Sequence, residues 1–445
     1  MDFKEIADRV EKLLSSRPLD GYELMFGASR NLAIEVKEQK VDTFKFSSPF
    51  GVSVRVLKDG GMGFSYATSF ADVDLGRMID NAMVGAGAQT PDQYNGFPEQ
   101  GECPDLPGLL DEGLTQVGES TKIGMAMELE RLALAADPRI KKVRKAVYSE
   151  STSTVLIRNS LGVAVRHDAS MVSLTVAPLA EADGDAQLGW EFGFSNGIRG
   201  IDIQKIAAGA AAKAVGHLGA RKIPTMRCPA ILDSYVANEI LEVLAPAFLA
   251  ENVQKGKSLL AGKIGEKLFA PLLRIRDDGT LPGGMATSPF DGEGVPHRNT
   301  VLAESGVLKG YLYDSFCGRK EGRESTGNSA RGGFKGLPHM GVTNFFIEPG
   351  ECTPEGLRKG IDRGILLTDV IGMHTANPIS GDFSVGAVGF LIENGEVTSP
   401  VKGIAISGNI IDLFRNVEAV AGDLRFYGVV GAPSLRLAGL DVSGD

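Results

Sequence analysis

Hydrophobic and polar positions alternate along this chain with two periods, and the switch between them outlines its elements. Phe3, Ile6, Ala7, Val10, Leu13 and Leu14 recur at helical spacing, and Pro18 ends that helix. Tyr22–Phe26, Leu32–Lys37, Thr43–Phe46, Gly51–Leu57 and Gly61–Tyr66 read as short strands, and a helix from Asp72 to Gly85 closes the set. Residues 90–118 are rich in Pro, Gly and acids and read as a long loop; a third helix follows over Thr121–Ala136. Then the pattern returns. Gly51-Val-Ser-Val-Arg55 recurs as Gly162-Val-Ala-Val-Arg166, and Gly61-Met-Gly-Phe64 as Gly189-Trp-Glu-Phe192. Asp74, Leu75 and Met78 recur as Asp202, Ile203 and Ile206. The spacing changes only between two strands, where a hairpin can lengthen without disturbing a core. The pattern predicts a duplicated, antiparallel strand-rich unit with a closing helix, over 22–88 and 140–218.

A new pattern begins at Arg227. Ala230–Leu232 reads as a strand, and Asp233 or Ser234 caps a long helix whose stripe is Val236, Ile240, Val243, Leu244 and Ala247. Pro246 lies inside that stripe and predicts a kink. A hairpin is expected from Arg298–Ala303, turning at Ser305-Gly306 into Val307–Tyr313. The expected fold class is therefore α+β in two domains: 1–222, with duplicated antiparallel sheet units and packed helices, and 223–445, strand-rich with one long helix.

Composition narrows the function classes. A chain of 445 residues with 43% hydrophobic and 23% charged residues is an ordinary globular protein. Its net charge of −10 argues against direct nucleic-acid binding, which needs a basic face. Cys103, Cys228, Cys317 and Cys352 include no CxxC pair and suit a reducing compartment. The charged, amphipathic start and the lack of an apolar run of about 20 residues lead to the expectation of a cytoplasmic protein without membrane contact.

Candidate chemistry concentrates in 287–333. Asp291 and Glu293 alternate with glycines, which places their carboxylates on a tight, exposed turn. His297 and Arg298 follow, and Thr326-Gly-Asn-Ser-Ala-Arg331 offers backbone N–H groups together with Asn328 and Arg331. Two motifs are decoys. Gly193-Phe-Ser-Asn-Gly197 matches the nucleophile elbow but ends an antiparallel strand, and Lys255-Gly-Lys-Ser258 lacks the strand and first glycine of a phosphate loop. His167, His217, His297, His339 and His374 form no close pair.

The 287–333 stretch resembles the C-terminal half of the TldD/PmbA family, first called modulators of DNA gyrase and regarded as metallopeptidases. Leu337-Pro-His-Met-Gly-Val-Thr-Asn344, Ser380-Gly-Asp-Phe-Ser384, Gly389-Phe-Leu-Ile-Glu-Asn-Gly395, Pro400-Val-Lys-Gly403 and Ile406-Ser-Gly-Asn409 carry the same resemblance. In the family's catalytic branch the helix after residue 233 carries His-Glu-x-x-x-His. Its two imidazoles and a cysteine near the C-terminus bind zinc, and the glutamate activates the metal-bound water. Here Leu241 and Pro246 stand at the histidine positions, Glu242 remains at that of the general base, and Tyr427–Pro433 holds no cysteine. The resemblance thus implies a PmbA/TldE-type chain that binds no cofactor itself and assembles with a TldD-like zinc subunit, or with itself, to cleave unfolded peptides. Two alternatives stay open: an independently active peptidase with an unrecognised metal site, and a non-enzymatic regulator of toxin–antitoxin or gyrase systems. On the family reading Asp291, Glu293, His297, Arg298, Asn328, Arg331 and His339 line the substrate cleft or the subunit interface.

Overall fold

The structure is a computed structural model and describes residues 3–444. Helix α1 (Phe3–Leu14) forms where the spacing predicted it and buries Phe3, Ile6, Ala7, Val10 and Leu14. Strands β1 (Gly21–Lys37), β2 (Lys40–Ser47), β3 (Phe50–Lys58) and β4 (Gly61–Ala67) precede α2 (Asp72–Ala88). Helix α3 (Glu119–Ala135) leads into β5 (Ile140–Asn159), β6 (Ala164–Ala182), β7 (Asp185–Leu188), β8 (Glu191–Ser195) and α4 (Ile203–Gly216). Tyr22–Phe26 and Leu32–Lys37, expected as two strands, are one. Gly27 does not interrupt β1, because β5 pairs with it from Glu23 to Val36 and keeps the intervening residues in the ladder.

That β1–β5 pairing joins both units in a single sheet, ordered β4-β3-β1-β5-β6-β7, with β2 on β1 and β8 on β6. The helices α1 and α2 cover one part of it through Leu24, Phe26, Val54, Leu75 and Ile79. The other part carries α3 and α4 through Ile34, Tyr148, Leu174, Leu129 and Ile206. The closing helix approaches its strand equally closely in both units. A Cβ on Gly63 would lie 1.8 Å from the Ala82 carbonyl oxygen, and one on Gly189 would lie 2.2 Å from that of Ala210.

The second half opens with β9 (Met226–Leu232) and α5 (Ser234–Leu244), capped by Asp233, which accepts from the Val236 N–H. The long helix expected here is instead 11 residues. Pro246 lacks an N–H and cannot continue the ladder, so the chain passes through a 3-10 turn at Ala245–Phe248 into the short α6 (Ala250–Gln254). Strands β10 (Ile275–Asp278), β11 (Asn299–Glu304) and β12 (Val307–Leu308) follow, then α7 (Ser315–Glu321), β13 (Ser329–Ala330), β14 (His339–Met340) and β15 (Phe345–Ile347). The hairpin forms, but its second strand stops at Leu308, short of the expected Tyr313, and Leu312 bridges to Leu249 instead. The chain ends with β16 (Arg363–Ile371), β17 (Asp382–Glu393), β18 (Glu396–Asn409), α8 (Ile410–Arg415), β19 (Val417–Val420), β20 (Arg425–Tyr427), β21 (Val430–Ala432) and β22 (Leu435–Ser443).

These strands build two six-stranded sheets, β12-β11-β10-β15-β21-β20 and β18-β17-β16-β9-β22-β19, which share one core with α5. Loops leaving β10 and β13 reach back to the first sheet. There Phe290 packs with Met25, Ile157, Val163 and Val165, and Phe334 lies against Gly27 and Gly51.

The glycine contacts give a paired test. Gly63→Ala should lower stability by roughly 1–3 kcal/mol, since the methyl group meets helix backbone that cannot yield. Gly76→Ala, at a helical site with nothing within 4 Å, should raise it by up to about 1 kcal/mol. Urea midpoints of the two variants check this, and equal shifts would refute the packing described.

Candidate functional site

The contact between the halves is ionic at its centre. Glu23 on β1 and Arg55 on β3 are register partners. Arg55 donates from Nε to Glu23 Oε1 at 3.0 Å and from Nη2 to Glu23 Oε2 at 2.5 Å. The same Nη2 reaches Glu293 Oε1 at 3.0 Å, and Arg331 Nη2 donates to Glu23 Oε1 at 2.7 Å. Glu293 also accepts the Ser315 N–H at the start of α7. All four side chains are at most 8% exposed. Burial alone would raise the Glu23 pKa, but Arg55 and then Arg331 outweigh it and hold the carboxyl below its usual range.

The turn carrying these groups is not exposed, contrary to what its glycines suggested. Asp291 and Glu293 are each 4% exposed, because the first sheet covers the turn. Gly294 sits at φ +83°, with Val163 Cγ1 only 2.7 Å from the Cβ it lacks. Asp291 accepts three backbone N–H groups, from Glu293 (2.8 Å), Val295 (3.0 Å) and Ser329 (3.1 Å). Burial, and next the Glu293 carboxylate, push its pKa well above the ordinary range. Asp291 therefore staples the 287–297 turn to the 326–331 loop. Asp277 in β10 ties the same 326–331 loop to Thr343, accepting from Asn328 Nδ2 (2.8 Å), Thr343 N–H (2.7 Å) and Thr343 Oγ1 (2.6 Å).

Between these loops and the first sheet lies a cavity of about 280 Å³. Asp291, His297, Asn328 and Arg331 meet at its wall, joined by His167 from β6, Ser329 and Thr343. Met25, Val155, Ile157, Phe290 and Val342 make its apolar part. His297 donates from Nδ1 to the Ser288 carbonyl at 2.9 Å, and burial pushes its pKa down to about 4. It is thus a neutral imidazole at ordinary pH. Glu293 lies behind the cavity in the ionic cluster. Arg298 and His339 are exposed and line no part of it: Arg298 holds the Ser325 carbonyl, and His339 pairs with Ala330 in the short β13–β14 ladder. Glu23, Arg55, Asp277 and His167 were missed in the sequence. The available signal was a charged residue within an apolar strand, as in Tyr22-Glu-Leu-Met and Val52-Ser-Val-Arg.

A second polar region surrounds α5. Leu241 is fully buried in the core and Glu242 is exposed. Trp190, Tyr235 and Tyr427 meet edge to face beside the helix start, with ring centroids 5.1–6.2 Å apart. Lys213 lies over Trp190, and Arg425 lies over Tyr427. Burial pushes Asp233 up to about 7, and burial, followed by Glu242 and Asp369, raises Glu239.

Comparison with known proteins places the chain among relatives. Models of PmbA/TldA metallopeptidase domain 1, central domain and C-terminal domain match residues 22–86, 112–218 and 225–444. An uncharacterized protein of Methanocaldococcus jannaschii is 31% identical over 97% of this chain and 99% of its own. The metalloprotease PmbA of Escherichia coli O157:H7 is 25% identical, over 97% of this chain and 94% of its own. A crystal structure of a candidate modulator of DNA gyrase from Thermotoga maritima superposes with a TM-score of 0.91 at 30% identity, covering 99% of this chain and all of that one. TldE from Thermococcus kodakarensis shares the fold, with a TM-score of 0.90 at 24% identity over 99% of this chain.

The buried imidazole predicts a pH dependence. The folded pKa of His297 lies below the unfolded value of about 6.5, so the unfolded chain binds more protons in between and stability falls as pH drops from about 6.5 to about 4. His297→Asn should reduce that slope by up to roughly 3 kcal/mol across the window. Urea titrations at several pH values measure it; parallel curves for both proteins would show that His297 is not the group responsible.

Proposed function

The chain belongs to the PmbA/TldD metallopeptidase family, and from that premise we propose that it is a PmbA/TldE-type subunit lacking zinc ligands of its own. The observation that carries this is the chemistry of α5 and the turn after it. Leu241, fully buried, and Pro246, half-buried in the 3-10 turn, offer no donor to a metal. The tail facing α5, Tyr427–Pro433, supplies no thiolate. The zinc that the family implies does not fit these residues, and no catalytic step is assigned to them. Glu242, at the place of the general base, is an exposed surface carboxylate.

On this reading the metal comes from a TldD-like subunit, and this chain supplies part of the enclosure around an unfolded peptide. An extended peptide can be held by main-chain hydrogen bonds to a sheet edge, which tolerates varied sequence. An apolar surface suited to assembly lies on the β1–β2 hairpin, where Val41, Phe44 and Phe46 are 40, 43 and 56% exposed. The chain works in the cytoplasm on this proposal, and it needs neither nucleic acid nor membrane.

Purified without chelator, the chain alone should hold well under one zinc per subunit and leave unfolded casein intact. Mixed with a TldD-like subunit, it should form a complex that cleaves casein and stops when zinc is removed. Stoichiometric zinc on the isolated chain, or chelator-sensitive cleavage by it alone, would replace this proposal with that of an independent peptidase.

A further inference from the structure

We propose that the helix-free face of the first sheet, at the end where β1, β2 and β5 meet, docks an extended acidic polypeptide segment through a row of lysines. The partner is a protein chain carrying clustered Asp or Glu side chains. This surface lies apart from the 287–343 loops, and it does not depend on the function proposed above.

The register places the cations. Leu24, Phe26, Ile34 and Val36 of β1 all pack under the helices, so the odd-numbered residues of that strand form the opposite face. Lys37, on that face, is the direct partner of Lys40 across the β1–β2 hairpin. The β1–β5 ladder ends at Val36–Ala146, which sets Lys145 beside Lys37. Lys145 and Lys142 oppose Ala177 and Leu179, two residues apart on β6, so both project from one face. Lys45, opposite Ala33, extends the row along β2. Each of these lysines is exposed, and none has an ion-pair partner among the described residues, where the paired lysines are Lys122, Lys213, Lys255 and Lys402.

Like charges facing each other across a ladder weaken it, and the neighbouring acids do not cancel this row. Glu35 shares the face, and Glu38 and Asp42 lie at the tip and the bulge of the β1–β2 hairpin. Lys141 and Arg144, the extra residues of two bulges in β5, add further exposed cations. A basic patch on a chain of net charge −10 complements an acidic partner. Beside the row the same face forms a shallow trough of about 650 Å³, floored by Asn31, Ser149, Ser151 and Ser173. Glu150 at its edge is already held by Lys122. The amide and hydroxyls of the floor suit a peptide main chain, while the lysines, on strands about 5 Å apart, reach carboxylates along it. A nucleic acid fits less well, because its denser charge is repelled by the acidic remainder of the surface.

Fluorescence anisotropy of the full chain tests this with a labelled octapeptide of alternating Glu and Ser, its Lys–Ser counterpart and a thymidine oligonucleotide of similar length. The acidic peptide should bind with a Kd below about 100 μM at about 20 mM salt, and at least about tenfold more weakly at about 300 mM. The basic peptide should not bind, and the oligonucleotide should bind more weakly than the acidic peptide. Lys37→Glu with Lys145→Glu should weaken acidic-peptide binding at least about tenfold. The fold should hold, since an opposite-charge pair with Lys40 replaces a like-charge one. Lys40→Glu with Lys142→Glu makes the same test should the first pair fail to fold. Lys257→Glu with Lys309→Glu, which changes the net charge equally at exposed sites in the second half, should leave binding unchanged. Equal loss in the control pair, no saturation by the acidic peptide up to about 1 mM, or tighter binding of the oligonucleotide would overturn the proposal.

Discussion

Two carboxylates and two guanidiniums, removed from water together, hold this molecule's halves in register. Glu23 and Arg55 come from neighbouring strands of the first sheet, and Glu293 and Arg331 come from two loops of the second half. Burying four charges carries a large desolvation cost, and the attraction between them does little more than offset it. The consequence is specificity rather than net stability. Any other docking would leave at least one charge buried and unpaired, which costs about 3–5 kcal/mol. The Phe290 and Phe334 contacts add apolar area, but apolar area alone would tolerate sliding.

The cavity follows from that docking. Its floor belongs to β1, β5 and β6, and its polar wall belongs to loops whose shape is set by Asp291 and Asp277. Neither half encloses it alone. Asn328 and Arg331 are consequently structural as well as polar, since one is tied to Asp277 and the other to Glu23.

What was legible in the sequence was what neighbouring residues decide. The stripe of α1 and the cap at Asp233 are local, and both appear in the structure; at Pro246, where a kink was expected, the helix ends instead. The α+β character followed from the two periods. The single long β1 was not legible, because Ser29-Arg-Asn31 interrupts the apolar alternation and only β5, more than a hundred residues away, holds those residues in the ladder. The burial of Asp291 and Glu293 was hidden for the same reason. Glycine-rich backbone suggests a surface turn, and only the docking of a distant sheet reverses that. His167 could not be joined to His297 by spacing. That the side chains of Leu241 and Pro246 carry no donor for a metal is read from the sequence directly.

The account's central claim, that ionic pairing across the two halves sets their docking, is tested most directly by a double-mutant cycle between Arg55 and Glu293. Arg55→Met, Glu293→Gln and the double variant are unfolded in urea, and the coupling energy is taken from the four stabilities. A coupling of at least about 2 kcal/mol is expected for a buried pair in direct contact. Additive effects, within about 0.5 kcal/mol, would mean that the two charges do not sense each other and that something else holds the halves together.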